Sequence, residues 1–248
     1  MRETLYGRHA VCESLRAARR HAYRLVMAKG IGQTTITEEI MSLAHDHSVR
    51  IDAVPRNELT QIAGTEQHQG VALQTSRYPY TSVDEMLDLA QAREEQPLLL
   101  LLDLIQDVHN VGSLIRTAEA VGVHGVIVQV RRAAGITPAT VNTSSGAAEH
   151  LLIAQVTNLA QEIERLKTAE IWIAGLEDVS GAQLYTEVSL TVPLGIVVGS
   201  ESDGLRRLVG DRCDWLMRMP MRGHINSLNA AIAGSIALYE VLRQRTVE

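Results

Sequence analysis

The sequence predicts an α/β protein built mainly on a parallel sheet, with a smaller α/β module in front of it. Three observations carry this. Short apolar runs, "LLLLLD" (98–103), "GVIVQV" (125–130) and "LGIVVG" (194–199), have the pattern of strands buried on both faces. Segments of helical periodicity separate them, which is the alternation of a sheet covered by helices. Near Pro97 the rhythm changes, so the first part of the chain reads as a unit of its own.

The elements follow in order. Residues 1–75 alternate helical stretches, "HAVCESLRAAR" and "TITEEIMSLAHDH", with the short β-like runs "YRLVMA", "VRIDAV" and "GVALQT". Residues 76–96 contain Pro79, several acids and a short helix around "SVDEMLDLAQAR", and read as a linker. From 97 to 248 come "LLLLLD", the helix in "NVGSLIRTAEAVG", then "GVIVQV", "EIWIAG", "LGIVVG" and a last helix. In that helix Leu228, Ala231, Ile232, Ser235, Ile236, Leu238 and Tyr239 recur at spacings of three and four, which predicts one buried face.

Composition sets further bounds. Of 248 residues 46% are hydrophobic and 21% charged, enough for one large or two ordinary domains. Cys12 and Cys213 form neither a disulfide framework nor a metal-binding pair, and no His or Cys cluster suggests a metal. The start, "MRETLYGRHAV", lacks an apolar signal core, and "PLLLLLDLI" is too short to span a bilayer, so a soluble cytoplasmic protein without membrane contact is expected. Net charge is −6, yet residues 1–30 hold six arginines and Lys29 against Glu3 and Glu13. Arginine suits bidentate phosphate contact, though these charges would equally serve as a solvated helix face.

In open parallel sheets ligands bind beyond the carboxyl ends of the strands. Three loops there hold candidates. Asn110 stands at the predicted start of one helix with Arg116 further along it, and Arg116 reads either as a site residue or as an exposed helix charge. Glu201 lies between Gly199 and Gly204 after a buried strand, where it could hold a ligand or compensate a helix dipole. Ser227 and Asn229 lie where a loop turns into the last helix, and are candidates for capping it as well as for a site. Neither a Walker A loop nor G-x-G-x-x-G is present, which removes the usual phosphate cradles and argues against a nucleotide-dependent oxidoreductase.

In series, "HNVGSLIRTAEAVG", "IVVGSESDGL" and "MPMRGHINSLNAAIAGSIALYE" resemble the three motifs of the SpoU (TrmH-type) branch of the SPOUT superfamily, RNA ribose 2′-O-methyltransferases. "YGRHAVCESLRA" and "HQGVAL" look like the two ends of the ribosomal-protein-like RNA-binding domain of bacterial members that methylate a guanosine of large-subunit ribosomal RNA. The resemblance implies a carboxyl-terminal deep trefoil knot, a homodimer formed through that domain, and S-adenosylmethionine as methyl donor with no metal. A knot is not something general rules of chain topology would suggest.

Carried over by position, the resemblance gives Asn110, Arg116, Glu201, Ser227 and Asn229 catalytic roles, and makes Gly175, Leu176, Gly199, Met219 and Leu228 the cofactor pocket. It implies RNA, with ribosomal RNA expected and transfer RNA or a catalytically silent RNA-binding homologue as the alternatives. The silent homologue should have lost motif residues, and all five are present. The chain departs from the family at Val108, where proline is frequent, and at Ser202, where glycine is common.

Overall fold

The computed structural model describes residues 2–201, 203–224 and 227–246. They gather into two compact units, one formed by Met1–Pro79 with Ile136–His150 and the other by Tyr80–Gly135 with Leu151–Glu248.

In the first unit, β1 (Arg2–Tyr6), β2 (Ala22–Ala28), β3 (Arg50–Val54) and β4 (Val71–Ser76) form, among the described residues, a four-stranded sheet in the order β1-β4-β2-β3. The strands β2 and β3 are parallel, and β4 is antiparallel to both β1 and β2. Helices α1 (Arg8–Ala17) and α2 (Thr35–Asp46) pack together. Helix α3 (Arg56–Ala63) places Leu59 on Val26, Ala28, Val54 and Ala72.

The inserted segment, Ile136–His150, also belongs here, although the sequence groups it with 97–248. Asn142 donates from Nδ2 to the Tyr6 carbonyl at 3.0 Å, and the Tyr78 hydroxyl donates to the Ala148 carbonyl at 3.0 Å. Glu149 makes an ion pair with Arg20 at 2.8 Å in which both side chains are fully buried. Such contacts join residues more than a hundred positions apart, and no local pattern announces them.

The second unit begins with α4 (Val83–Ala92), inside the stretch read as linker. Ser82 and Glu85 form a reciprocal capping box at its start, and Val83 and Met86 enter the core, so this segment is a docked helix. After it come β5 (Leu98–Asp103), α5 (Val108–Ala120), β6 (Gly125–Gln129), α6 (Pro138–Thr143, in the first unit), β7 (Ile153–Val156), α7 (Leu159–Thr168), β8 (Trp172–Leu176), β9 (Gln183–Leu184), β10 (Leu194–Gly199), α8 (Arg207–Gly210), β11 (Trp215–Arg218) and α9 (Ala230–Thr246). Among the described residues the sheet has seven strands in the order β7-β6-β5-β10-β8-β11-β9, every pair parallel. All six residues of β5 and of β10 are buried, as expected for strands covered on both faces.

Helix α9 departs from its expected face. Ala231 and Leu238 are buried and the Ser235 hydroxyl lies 2.8 Å from that of Thr117 on α5, but Ile232, Ile236 and Tyr239 are exposed. The helix is apolar on nearly every side, so spacing alone could not choose the inward one. Among the described residues no helix is long and apolar enough to cross a membrane, and no group of three or more His, Cys, Asp or Glu could hold a metal ion.

Candidate active site

Parallel strands bring their carboxyl ends to one edge, and the order of this sheet sets β10 between β5 and β8. The last residues of β8, β10 and β11 therefore meet. There they form a cavity of about 290 Å³, lined by Leu176, Glu177 and Asp178 after β8, by Gly199 and Glu201 after β10, and by Met217, Met219 and Met221 around β11. Ser227, Leu228, Ala230 and Ala233 close it from the start of α9.

The loop after β10 is drawn tight. A Cβ on Gly199 would lie 2.3 Å from the Gly204 backbone, so only glycine lets the strand end and the returning chain approach this closely. Two carboxylates then pin the loop's far end. Glu177 accepts from the Leu205 amide at 2.6 Å. Asp103, fully buried at the end of β5, accepts from the Arg206 amide at 2.9 Å and from its guanidinium at 2.7–2.8 Å.

Asn229 joins the three motif loops. Its Oδ1 accepts from the amides of Ala231 at 2.9 Å and Ile232 at 3.2 Å, capping α9. Its Nδ2 donates to Oδ1 of Asn110 at 2.9 Å and reaches Oε1 of Glu201 at 3.5 Å. One side chain thus caps a helix and ties the other two loops together. Asn110 is not the start of α5: Asp107 is the N-cap and accepts from the Asn110 amide at 2.9 Å, leaving the Asn110 side chain for Asn229. Val108 opens the helix proper, a position that favours proline but requires no more than helical backbone.

Of the residues singled out in the sequence, Asn110, Glu201 and Asn229 come together, and Ser227, Leu176, Gly199, Met219 and Leu228 lie on the cavity wall. Gly175 does not line it. Its Cβ would run into Leu205, Cys213 and Leu216, so it is a packing glycine one residue below the rim. Arg116 is exposed and stands apart, six residues along α5 from Asn110 and about 120° round the helix from it. Ser202 and Asn226 lie outside the described residues.

Glu177, Asp178, Met217 and Met221 were not singled out in the sequence. They follow or end strands at the ligand-binding edge, and that rule, applied to every strand, would have found the first two. The three methionines supply a soft, adaptable wall. Cys213, behind Gly175, is no nucleophile: burial, and then Asp214, push its thiol up to about 12.

The SpoU rRNA Methylase family model matches residues 97–239, the segment that holds the whole cavity. The chain belongs to this family. A second model, for RNA 2′-O ribose methyltransferase substrate binding, matches residues 4–81. A putative TrmH family tRNA/rRNA methyltransferase, YacO, of Bacillus subtilis is 41% identical over 241 residues, covering 96% of this chain and 94% of that one. Among solved structures, the SpoU methyltransferase AviRb from Streptomyces viridochromogenes, in complex with the cofactor AdoMet, aligns with a TM-score of 0.82 at 22% identity over 100% of this chain and 92% of that one. The A. aeolicus TrmH/SpoU tRNA modifying enzyme aligns with a TM-score of 0.57 at 27% identity over 66% of this chain and 86% of that one.

Proposed function

We propose that this chain transfers a methyl group from S-adenosylmethionine to a ribose 2′-hydroxyl of RNA, with a guanosine of large-subunit ribosomal RNA as the expected acceptor. The observation that carries the reading is Asn229, whose bonds to Asn110 and Glu201 bring all three family motifs to the rim of one cavity.

The lining fits the methyl donor by its chemistry. Leu176, Met219 and Leu228 offer apolar contact for a base, while Glu177, Asp178 and Glu201 offer acceptors to hydroxyls, an amine and a positive sulfonium. The volume is near the lower end of ordinary small-molecule sites. When bound, S-adenosylmethionine supplies a methyl group activated on sulfur. The chain's own residues have then to place the acceptor hydroxyl in line and handle its proton. Arginine stays protonated in proteins, so the role given to Arg116 is to orient the nucleotide and stabilise charge, rather than to act as a free base. Ser227, on the cavity wall, is assigned to orienting the bound groups.

The order β5-β10-β8-β11 supports a trefoil knot, because β10 enters between two strands laid down before it and the chain then passes back beyond β8. A homodimer with two-fold symmetry is supported by the exposed apolar stripe of Ile232, Ile236 and Tyr239 on α9, which would otherwise face water. The expected setting is the cytoplasm.

Single-turnover methyl transfer to saturating RNA, beside titration with S-adenosylmethionine, tests the assignment of Arg116. Arg116→Ala should slow transfer by about a hundredfold or more with little change in cofactor affinity, and Arg116→Lys should not rescue it. Near-normal transfer by the alanine variant would remove Arg116 from the mechanism.

A further inference from the structure

The arginines clustered near the amino terminus separate into two groups in the structure. Arg16 pairs with Glu13 and Glu39, Arg20 with Glu3 and Glu149, and the Arg19 guanidinium faces the Tyr78 hydroxyl and the Glu149 and Pro79 carbonyls. These three stitch the first unit together. Arg2 and Arg24 lie on its sheet instead.

Strand register puts Thr4, Gln74, Arg24 and Arg50 side by side in one row across all four strands. Residues directly opposite one another share a face, and Arg24 shares its face with Val26 two positions on. This is the face that α3 covers over Val26, Ala28 and Ala72, but the cover ends before the row, where all four residues are partly or wholly exposed. At the same end, where the register of β2 slips between Ala22 and Arg24, the Arg2 guanidinium lies 4.2 Å over the Tyr23 ring. His21 meets that ring edge-on at 4.5 Å. Asp52, paired with Arg24 and Arg50, is the one acid that these two arginines share.

We infer that this uncovered half of the sheet face is a track for single-stranded RNA, with Arg24 and Arg50 beside phosphates and a nucleobase stacked on the Arg2–Tyr23 pair. It rests on the reading that the chain acts on RNA. Three arginines against one aspartate give the excess positive charge that a phosphate backbone requires. A guanidinium plane backed by an aromatic ring is a stacking platform, and Gln74 and Thr4 supply neutral hydrogen-bonding groups between the charges. A duplex hides its base faces, so the stacking part of the site selects unpaired nucleotides.

The test uses the full chain, a labelled single-stranded RNA of about 16 nucleotides and a duplex of the same sequence, with fluorescence anisotropy at several salt concentrations. S-adenosylmethionine affinity is measured on the same samples. Arg2→Ala combined with Arg50→Ala should weaken single-strand binding about fivefold or more and make its salt dependence shallower by about 1.4 in log–log slope, with cofactor affinity unchanged. Arg2→Lys should keep the salt slope yet lose affinity for the single strand, because an ammonium does not stack. Unaltered single-strand affinity and slope in the double variant would overturn the track while leaving the methyl-transfer reading intact. Binding of neither RNA by the unsubstituted chain, with S-adenosylmethionine still bound, would overturn both.

Discussion

Each unit contains a carboxylate that is fully buried against an arginine, and the two pairs are built differently. In the first unit Arg20 and Glu149 are both fully buried, and Glu3 supplies a second carboxylate to Arg20 at 2.6 Å. In the second, Asp103 is buried while the Arg206 side chain remains 42% exposed. A buried pair that loses one member strands a charge in a poorly polarisable interior, whereas a half-exposed arginine can return to water. The first arrangement therefore holds a structure together: it fastens the inserted segment, Ile136–His150, to the strands and helices of the amino-terminal unit. The second shapes a loop, since Asp103 takes both the backbone amide and the guanidinium of Arg206 just beyond the turn that carries Glu201.

The sharpest way to break that comparison is to remove the two carboxylates separately. Glu149→Ala should have the larger effect on stability, about 3–5 kcal/mol in urea denaturation of the full chain. A loss no greater than that of an exposed ion pair would show that the burial of Arg20 is not maintained in solution. Asp103→Asn keeps an acceptor for the Arg206 amide but gives up the charge, so its expected cost is about 1.5–3 kcal/mol at most. Its more specific consequence is weaker binding of S-adenosylmethionine, measured by calorimetry, because the loop it orients forms one wall of the cavity. Unchanged cofactor affinity in a folded Asp103→Asn protein would separate that loop from the site.

A smaller effect depends on pH. His124 is buried, and its Nδ1 accepts from the Leu98 amide at 3.0 Å, which leaves the proton on Nε2, 3.0 Å from Glu95. Burial holds its pKa below the ordinary imidazole value, although Glu95 pulls the other way. The neutral ring is the form that folds, so its stability contribution is complete above the ordinary imidazole pKa and is lost as pH falls through the lower folded value. The slope is at most about 1.4 kcal/mol per pH unit for one proton. Urea midpoints between about pH 8 and pH 5 should fall less steeply in His124→Asn, whose Oδ1 can still accept from Leu98. Equal slopes would assign the acid loss to other groups.

The sequence was most legible where local pattern and burial coincide. Strands β5, β6, β8 and β10 are apolar runs because both faces are covered, and α5 shows its buried stripe clearly. Strands β1, β7, β9 and β11 are short or only partly buried, so none has a run long enough to stand out. At the site, the choice between cap and functional residue at Asn229 had no local solution, because its oxygen caps α9 while its nitrogen faces Asn110 and Glu201. Only a contact across 119 residues distinguishes that arrangement from an ordinary helix start.

The central claim is the chemical position of the transferred methyl group. The most direct measurement incubates the full chain with S-adenosylmethionine carrying a labelled methyl group and unmethylated large-subunit ribosomal RNA, followed by alkaline hydrolysis and mapping of the label. The account predicts label at one ribose, in a dinucleotide that resists alkali because its 2′-oxygen is methylated and cannot attack the neighbouring phosphate. Label on a base, released in an alkali-sensitive nucleotide, would contradict it.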